Sequence, residues 1–180
     1  MGFTIIELMV VVAMLAVLIA IAAPSFGALM SNSRVSNLGN EFVLGVGYAR
    51  GQAITRNKCV TICAADDISA ATPACVVTSG EWNAGWIIFS NPKCDSDATD
   101  STAELLKAYV GDPNGPSLTG TNTPRTILFD SRGRATLAAA VSLRVSPPGE
   151  SATKMICVDM LGRARIGNAG SISCDGTNQN

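Results

Sequence analysis

Hydrophobic and polar positions divide the chain into three stretches of different rhythm. From Phe3 to Ala23 the residues are apolar without any period, interrupted only by Thr4 and Glu7. That length is close to the ~20 residues a helix needs to cross a bilayer. Pro24 follows, and its missing amide donor predicts a kink. Phe26, Leu29, Leu38, Phe42, Val46, Ala49 and Ala53 then recur at spacings near three and four. This is the signature of an amphipathic helix to about Asn57, weakened by Gly39, Gly45 and Gly47. Beyond Asn57 the pattern becomes short and β-rich: Cys59–Ala64, Gly85–Ser90, Leu105–Val110, Arg125–Phe129, Val141–Val145 and Lys154–Asp159. Clusters of Gly, Pro, Asn and Asp bound these runs, Asp112-Pro113-Asn114-Gly115-Pro116 being a strong turn signal. No internal repeat and no low-complexity linker is evident. The pattern predicts an α+β chain: a long N-terminal helix, membrane-spanning in its first half (residues 3–29), its amphipathic second half (30–57) packed on a β-rich head (58–180).

Composition narrows the chemistry. Histidine is absent from the 180 residues, which removes Ser-His-Asp and Cys-His triads, H-E-x-x-H metal sites and ordinary histidine bases. A Ser-Lys pair such as Ser151 and Lys154 is a residual pairing, and no enzyme is expected. All six cysteines follow residue 58. An even number in a domain behind a membrane segment points to disulfides in an oxidising compartment. No C-x-x-C pair occurs and the spacings do not repeat as zinc knuckles, so no metal and no other cofactor is expected. The bridge Cys157–Cys174 is favoured because it pins the tail around a hairpin-sized segment. Cys63–Cys75 and Cys59–Cys94 follow by nearness and elimination, although six cysteines allow many connectivities.

Net charge is −1, but it is unevenly spread. Residues 59–124 carry two basic and eight acidic side chains, a net of −6; residues 125–165 carry seven basic and three acidic, a net of +4. Such asymmetry marks either an electrostatic footprint or strands that present charge to water.

Glu7 is the residue the N-terminus must explain, because a charge beside a membrane-length segment costs a few kcal/mol without a partner or a task. A secretory signal would end near Ala20-Ile21-Ala22, yet no basic residue precedes the run and Glu7 is out of place there. A plain anchor accounts for the length alone. Gly2-Phe3-Thr4-Ile5-Ile6-Glu7 resembles the prepilin peptidase site of type IV pilins and type II secretion pseudopilins. The resemblance implies cleavage after Gly2, with residues 1–2 a remnant of the leader, and N-methylation of Phe3. It also implies a helix that continues past Pro24, and pairing of Glu7 with the N-terminal amine of a neighbouring subunit. Opposite charges in a low-dielectric bundle remove each other's cost, so Glu7 would help set filament register. The partners implied are other pilins, the prepilin peptidase and, before assembly, the inner membrane with the head in the periplasm. After assembly the location implied is the cell-surface pilus.

The head resembles one branch of that class, the FimT/FimU minor pilins and GspH-type pseudopilins. Ala49-Arg50-Gly51-Gln52-Ala53-Ile54 carries the likeness, with Trp82, Gly85-Trp86-Ile87-Ile88-Phe89, Phe129-Asp130, Gly133-Arg134, and Cys157 through Gly162-Arg163 to Cys174. Trp82 and Trp86 read either as core or as a stacking platform for bases, alternation on a strand favouring core for Trp86. Gly162-Arg163-Ala164-Arg165 resembles the DNA-contacting motif of FimT-type minor pilins, which serve natural transformation. On a strand, Arg163 and Arg165 would share a face about 7 Å apart, suited to bidentate contact with double-stranded DNA phosphates. Lys154, Arg132, Arg134 and Arg144 are further candidates by charge. Affinity of this kind is non-specific, salt-sensitive and on the order of micromolar or weaker. The competing reading is a solvated hairpin neutralised by Asp159 and Asp175. The function implied is a minor type IV pilin, at the tip, supporting assembly and binding DNA; the alternative is a GspH-type secretion pseudopilin with no DNA role.

Overall fold

A computed structural model describes residues 2, 4–65, 67–70, 73–76, 82–95, 104–120, 124–137, 139–172 and 174, with the backbone alone at 22–25 and 28. One helix, α1 (Ile5–Arg56), continues through position 24. It ends where Asn57 takes a left-handed φ of 51°. The Asn57 amide reaches the Ile54 carbonyl, and the Lys58 amide reaches that of Ala53. This is a Schellman cap, in which asparagine tolerates the conformation better than most residues.

The chain divides into two compact units, Met1–Ser33 and Arg34–Asn180. In the first, the large apolar side chains face solvent, from Ile5 at 80% to Met30 at 46% exposure. Among the described residues no helix is long and apolar enough to cross a membrane.

The second unit holds the core. Eight strands follow α1: β1 (Val60–Ala64), β2 (Gly85–Ser90), β3 (Leu105–Val110), β4 (Ser117–Thr119), β5 (Thr126–Phe129), β6 (Val141–Ser146), β7 (Lys154–Val158) and β8 (Ala164–Asn168). They form two antiparallel sheets, ordered β3-β2-β1-β5 and β4-β6-β7-β8. Val35, Phe42, Val46, Ala49 and Ala53 of α1 are fully buried in one cluster with Ile62 and Ile88 of the first sheet and Leu143 and Ile156 of the second. The apolar stripe therefore begins at Val35. Phe26 and Leu29, expected to belong to it, are 63% and 64% exposed, because they precede the unit that has a core. Gly39 and Gly45 allow close approaches: a Cβ at Gly39 would strike Ile166, and one at Gly45 would lie 3.0 Å from the Trp86 indole nitrogen.

β1 and β2 are buried along their whole length, so both faces of the first sheet are covered. Cys63, Cys75, Ile87 and Phe89 make a small second cluster there, with Ile68 packed against it. Disulfides join Cys63 to Cys75, Cys59 to Cys94 and Cys157 to Cys174. Loop closure of this kind contributes roughly 2–4 kcal/mol per bridge. Trp82 and Trp86, 1% and 2% exposed, each meet the Phe42 ring edge-on at 5.1 and 5.2 Å. Trp86 also stacks on Tyr109. Neither indole is open to a base. β4 escaped the sequence pattern because three residues between Pro116 and Gly120 carry no period; its pairing of Leu118 with Val145 creates it.

Candidate functional sites: a capped helix start, twin turns and a basic face

At the head of α1, Thr4 and Glu7 form a capping box. The Glu7 amide donates to Thr4 Oγ1 at 3.3 Å, while the Thr4 hydroxyl and amide reach Glu7 Oε2 at 3.4 and 3.5 Å. A threonine followed three residues later by glutamate satisfies amides that open a helix. The spacing Thr-x-x-Glu is the sequence signal of this box. Gly2 is exposed; Phe3 lies outside the described residues.

In the head, two turns share one chemistry. Asp130-Ser131-Arg132-Gly133-Arg134-Ala135 joins β5 to a bridge between Phe129 and Ala135, and Asp159-Met160-Leu161-Gly162-Arg163-Ala164 joins β7 to β8. In each, the glycine amide donates to the aspartate carbonyl and the aspartate amide to the arginine carbonyl. Each glycine has φ of 76°. This is a type I turn closed by a left-handed glycine bulge, where glycine has no Cβ to clash. The aspartate Oδ1 accepts the amides two and four residues on, at 2.9 and 2.9 Å for Asp130 and 3.0 and 2.8 Å for Asp159. Its Oδ2 accepts the arginine Nε, at 3.2 Å from Arg134 and 2.8 Å from Arg163. Burial pushes both carboxyls up, but the arginine amides and guanidinium, with the amides of Arg132 and Leu161, outweigh it. Both aspartates are held below the usual carboxylate value. The short repeat is real, although no repeat was evident from the chain's rhythm.

The structure sorts the six basic candidates into four places. Arg134 and Arg163 are turn closers, each paired with its own aspartate. Arg163 precedes β8 rather than lying within it, so the expected Arg163–Arg165 pair of strand forks is a turn residue followed by a strand residue. Asp175, the other expected neutraliser, lies outside the described residues. Lys154 stands at the far end of β7 from the turn, donating to Asn168 Oδ1 at 2.7 Å. Arg144 and Arg165 are exposed and share the outer face of the second sheet, because the register runs Arg144–Met155–Gly167 with Arg165 two residues from Gly167. Arg132 is exposed at the first turn. Among the described residues, the side chains of Arg132, Arg144 and Arg165 make no hydrogen bond or ion pair, and no group of three or more potential metal ligands gathers. Arg50, not among the candidates, ties α1 to the first turn through Nε and the Gly133 carbonyl at 2.9 Å.

A long helix packed on antiparallel sheets is the pilin fold. The chain is similar to the Pseudomonas aeruginosa type IV minor pilin FimU in two crystal forms. In space group P21 the TM-score is 0.56 at 14% identity, covering 82% of this chain and 97% of that one. In P65 the values are 0.53 and 14%, with 79% and 98% covered. No curated protein sequence matches. The family model of the type II transport protein GspH matches residues 38–162, and the chain belongs to that family. It thus joins the pilin fold to membership of the GspH pseudopilin family, whose members are structural proteins rather than enzymes.

Proposed function

We propose that this protein is a minor pilin of a type IV pilus, incorporated at the tip and supporting assembly. The exposed apolar surface of α1 from Ile5 to Ile21 carries the reading. Such a surface in water is unfavourable by ~25 cal/mol per Å² and needs a membrane or neighbouring helices to cover it. Before assembly the helix lies in the inner membrane with the disulfide-bonded head in the periplasm; prepilin peptidase cleaves after Gly2 and Phe3 is methylated. Glu7, already oriented by Thr4, then pairs with the N-terminal amine of a neighbour. The test is an immunoblot of sheared pili from cells expressing the protein with its peptidase and partner pilins. Wild type is expected in the pili, and Glu7→Ala processed but absent from them. Recovery of wild type only with a type II secretion assembly would overturn the pilus assignment in favour of a GspH-type pseudopilin.

Arg144 and Arg165, exposed on one face and without a partner among the described residues, favour a second task, non-specific contact with double-stranded DNA during uptake. A polyanion outside the cell suits a pilus better than a secretion pseudopilus. The oxidised protein in detergent is expected to retard a DNA duplex at about 50 mM salt, with the complex lost by about 200 mM. No retardation at the lower salt would leave the basic face as solvated surface.

A further inference from the structure

We propose that the Cys59–Cys94 disulfide is a thiol-exchange site: the bridge that an external dithiol opens and closes while the other two hold. Cys94 is exposed and has a left-handed φ of 54°, a region that residues with a Cβ populate sparsely. The other bridges are shielded. Cys63 and Cys75 are both buried in the small second cluster. In the third, Cys157 is 2% exposed and Cys174 is half-buried. Cys94 is thus the half-cystine that an outside thiol reaches while the head stays folded.

Opening the bridge leaves its loop anchored, because Asn91 ties the loop to the same stretch of chain. The Asn91 amide donates to the Cys59 carbonyl at 2.8 Å. Its buried side chain donates from Nδ2 to Thr61 Oγ1 at 2.9 Å and to the Asp95 carbonyl at 2.7 Å. The Cys94 amide returns to the Asn91 carbonyl at 3.0 Å. Neighbouring charges set which sulfur leaves. Lys93 and Asp95 flank Cys94 and offset each other along the chain. Lys58 precedes Cys59, and among the described residues its side chain makes no hydrogen bond or ion pair. Cys59 is 5% exposed; burial disfavours its thiolate, and the Lys58 ammonium offsets that cost. An attacking thiolate therefore bonds to Cys94 Sγ and breaks the Sγ–Sγ bond, while Cys59 leaves as thiolate beside Lys58 and takes a proton from solvent. The attacker's second thiol, giving up its proton, displaces Cys94 from the mixed disulfide, and Cys94 is protonated in turn. The dithiol ends as a disulfide, oxidised by two electrons, and the two cysteines end as thiols. Each step is reversible, so the partner that fits is a dithiol oxidoreductase.

Stepwise reduction reads the site directly. The full oxidised chain in detergent is exposed to rising dithiothreitol, trapped with N-ethylmaleimide and mapped by peptide mass spectrometry. Cys59 and Cys94 are expected to be labelled as a pair, ahead of the other four cysteines, while the fluorescence of the buried Trp82 and Trp86 keeps its oxidised-state value. Labelling of Cys63 with Cys75, or of Cys157 with Cys174, at the same or lower dithiol would overturn the assignment. So would labelling that appears only together with a change in tryptophan fluorescence, since the bridge would then open by unfolding. Lys58→Gln is expected to slow the first reduction several-fold at low salt, with the gap closing as salt screens the charge. A rate unchanged by Lys58→Gln would sink the role given to that lysine and with it the choice of Cys59 as the leaving sulfur.

Discussion

The turns at Asp130–Ala135 and Asp159–Ala164 agree in four of six residues, in glycine φ and in every internal hydrogen bond, yet they are seated differently. The first leans on α1: its glycine carbonyl accepts from Arg50, and a Cβ at Gly133 would meet the tip of Ile54 and the Arg50 stem. The second leans on the first, since a Cβ at Gly162 would lie 2.6 Å from the Phe129 ring and 3.2 Å from the Gly133 carbonyl oxygen. Identical local chemistry is thus placed once against flexible side-chain ends and once against a buried ring and backbone. Local sequence sets the turn; its neighbours set what a change there costs.

The sharpest test of that distinction is alanine at each glycine. Both substitutions force a Cβ into the left-handed region, at roughly 1–2 kcal/mol. Gly162→Ala adds overpacking against Phe129, fully buried, for another 1–3 kcal/mol or so. In Gly133→Ala, by contrast, the half-exposed Ile54 can swing away from the added methyl. Thermal unfolding of the two variants should show the larger fall in Tm for Gly162→Ala, by about 2–4 °C for each kcal/mol of difference. Equal falls would mean that the surroundings do not matter.

Replacing the aspartates probes what the turns share. Asp159→Ala and Asp130→Ala each strip an acceptor from two amides and leave an arginine without its partner. The expected loss is about 1–2 kcal/mol apiece, less than for Gly162→Ala because the freed groups reach water. Asparagine should recover most of it by keeping Oδ1. A deficit in the asparagine variants as large as in the alanine ones would assign the stabilisation to the ion pair instead of the turn amides.

Why these turns were hard to see in the sequence is physical. Period reveals elements that bury one face, and it gave the helix, six strands and the α+β architecture. A six-residue turn buries little and has no period, so its repetition was visible only as two short strings, Asp-Ser-Arg-Gly-Arg-Ala and Asp-Met-Leu-Gly-Arg-Ala, each noticed for its Gly-Arg step. The same limit moved the ends of strands: Asp159, read as the last residue of a strand, is the first residue of a turn. It also blurred the candidate site. Charge and spacing found Arg163 and Arg165 together, but only the side-chain bonds of Asp159 distinguish the arginine that is spoken for from the one that is not. Val35 stands outside the periodic stripe for a related reason, since the second unit begins one residue before it and a stripe that starts at Phe26 starts outside the core.

The smallest difference between the turns lies in acid. Asp130 and Asp159 are both held below the ordinary carboxylate value, because hydrogen bonds from arginine and backbone outweigh the opposing push of burial. The folded chain therefore binds these two protons less readily than the unfolded chain does. The stabilisation is fully present above the unfolded pKa of about 3.9 and is lost as pH falls through the lower folded values. Unfolding temperature measured from about pH 5 downward should drop less steeply in Asp130→Asn and Asp159→Asn than in wild type, and least steeply in the double variant. Above about pH 5 all four curves should run parallel, since both carboxyls are ionised in folded and unfolded chains alike. Asp159→Asn should flatten the acid limb more than Asp130→Asn, because Arg163 holds its carboxylate at 2.8 Å where Arg134 stands at 3.2 Å. If the asparagine variants followed wild type below about pH 4, the carboxylates would be acting only as neutral acceptors, and the arginines that close the turns would be as available to a ligand as Arg165.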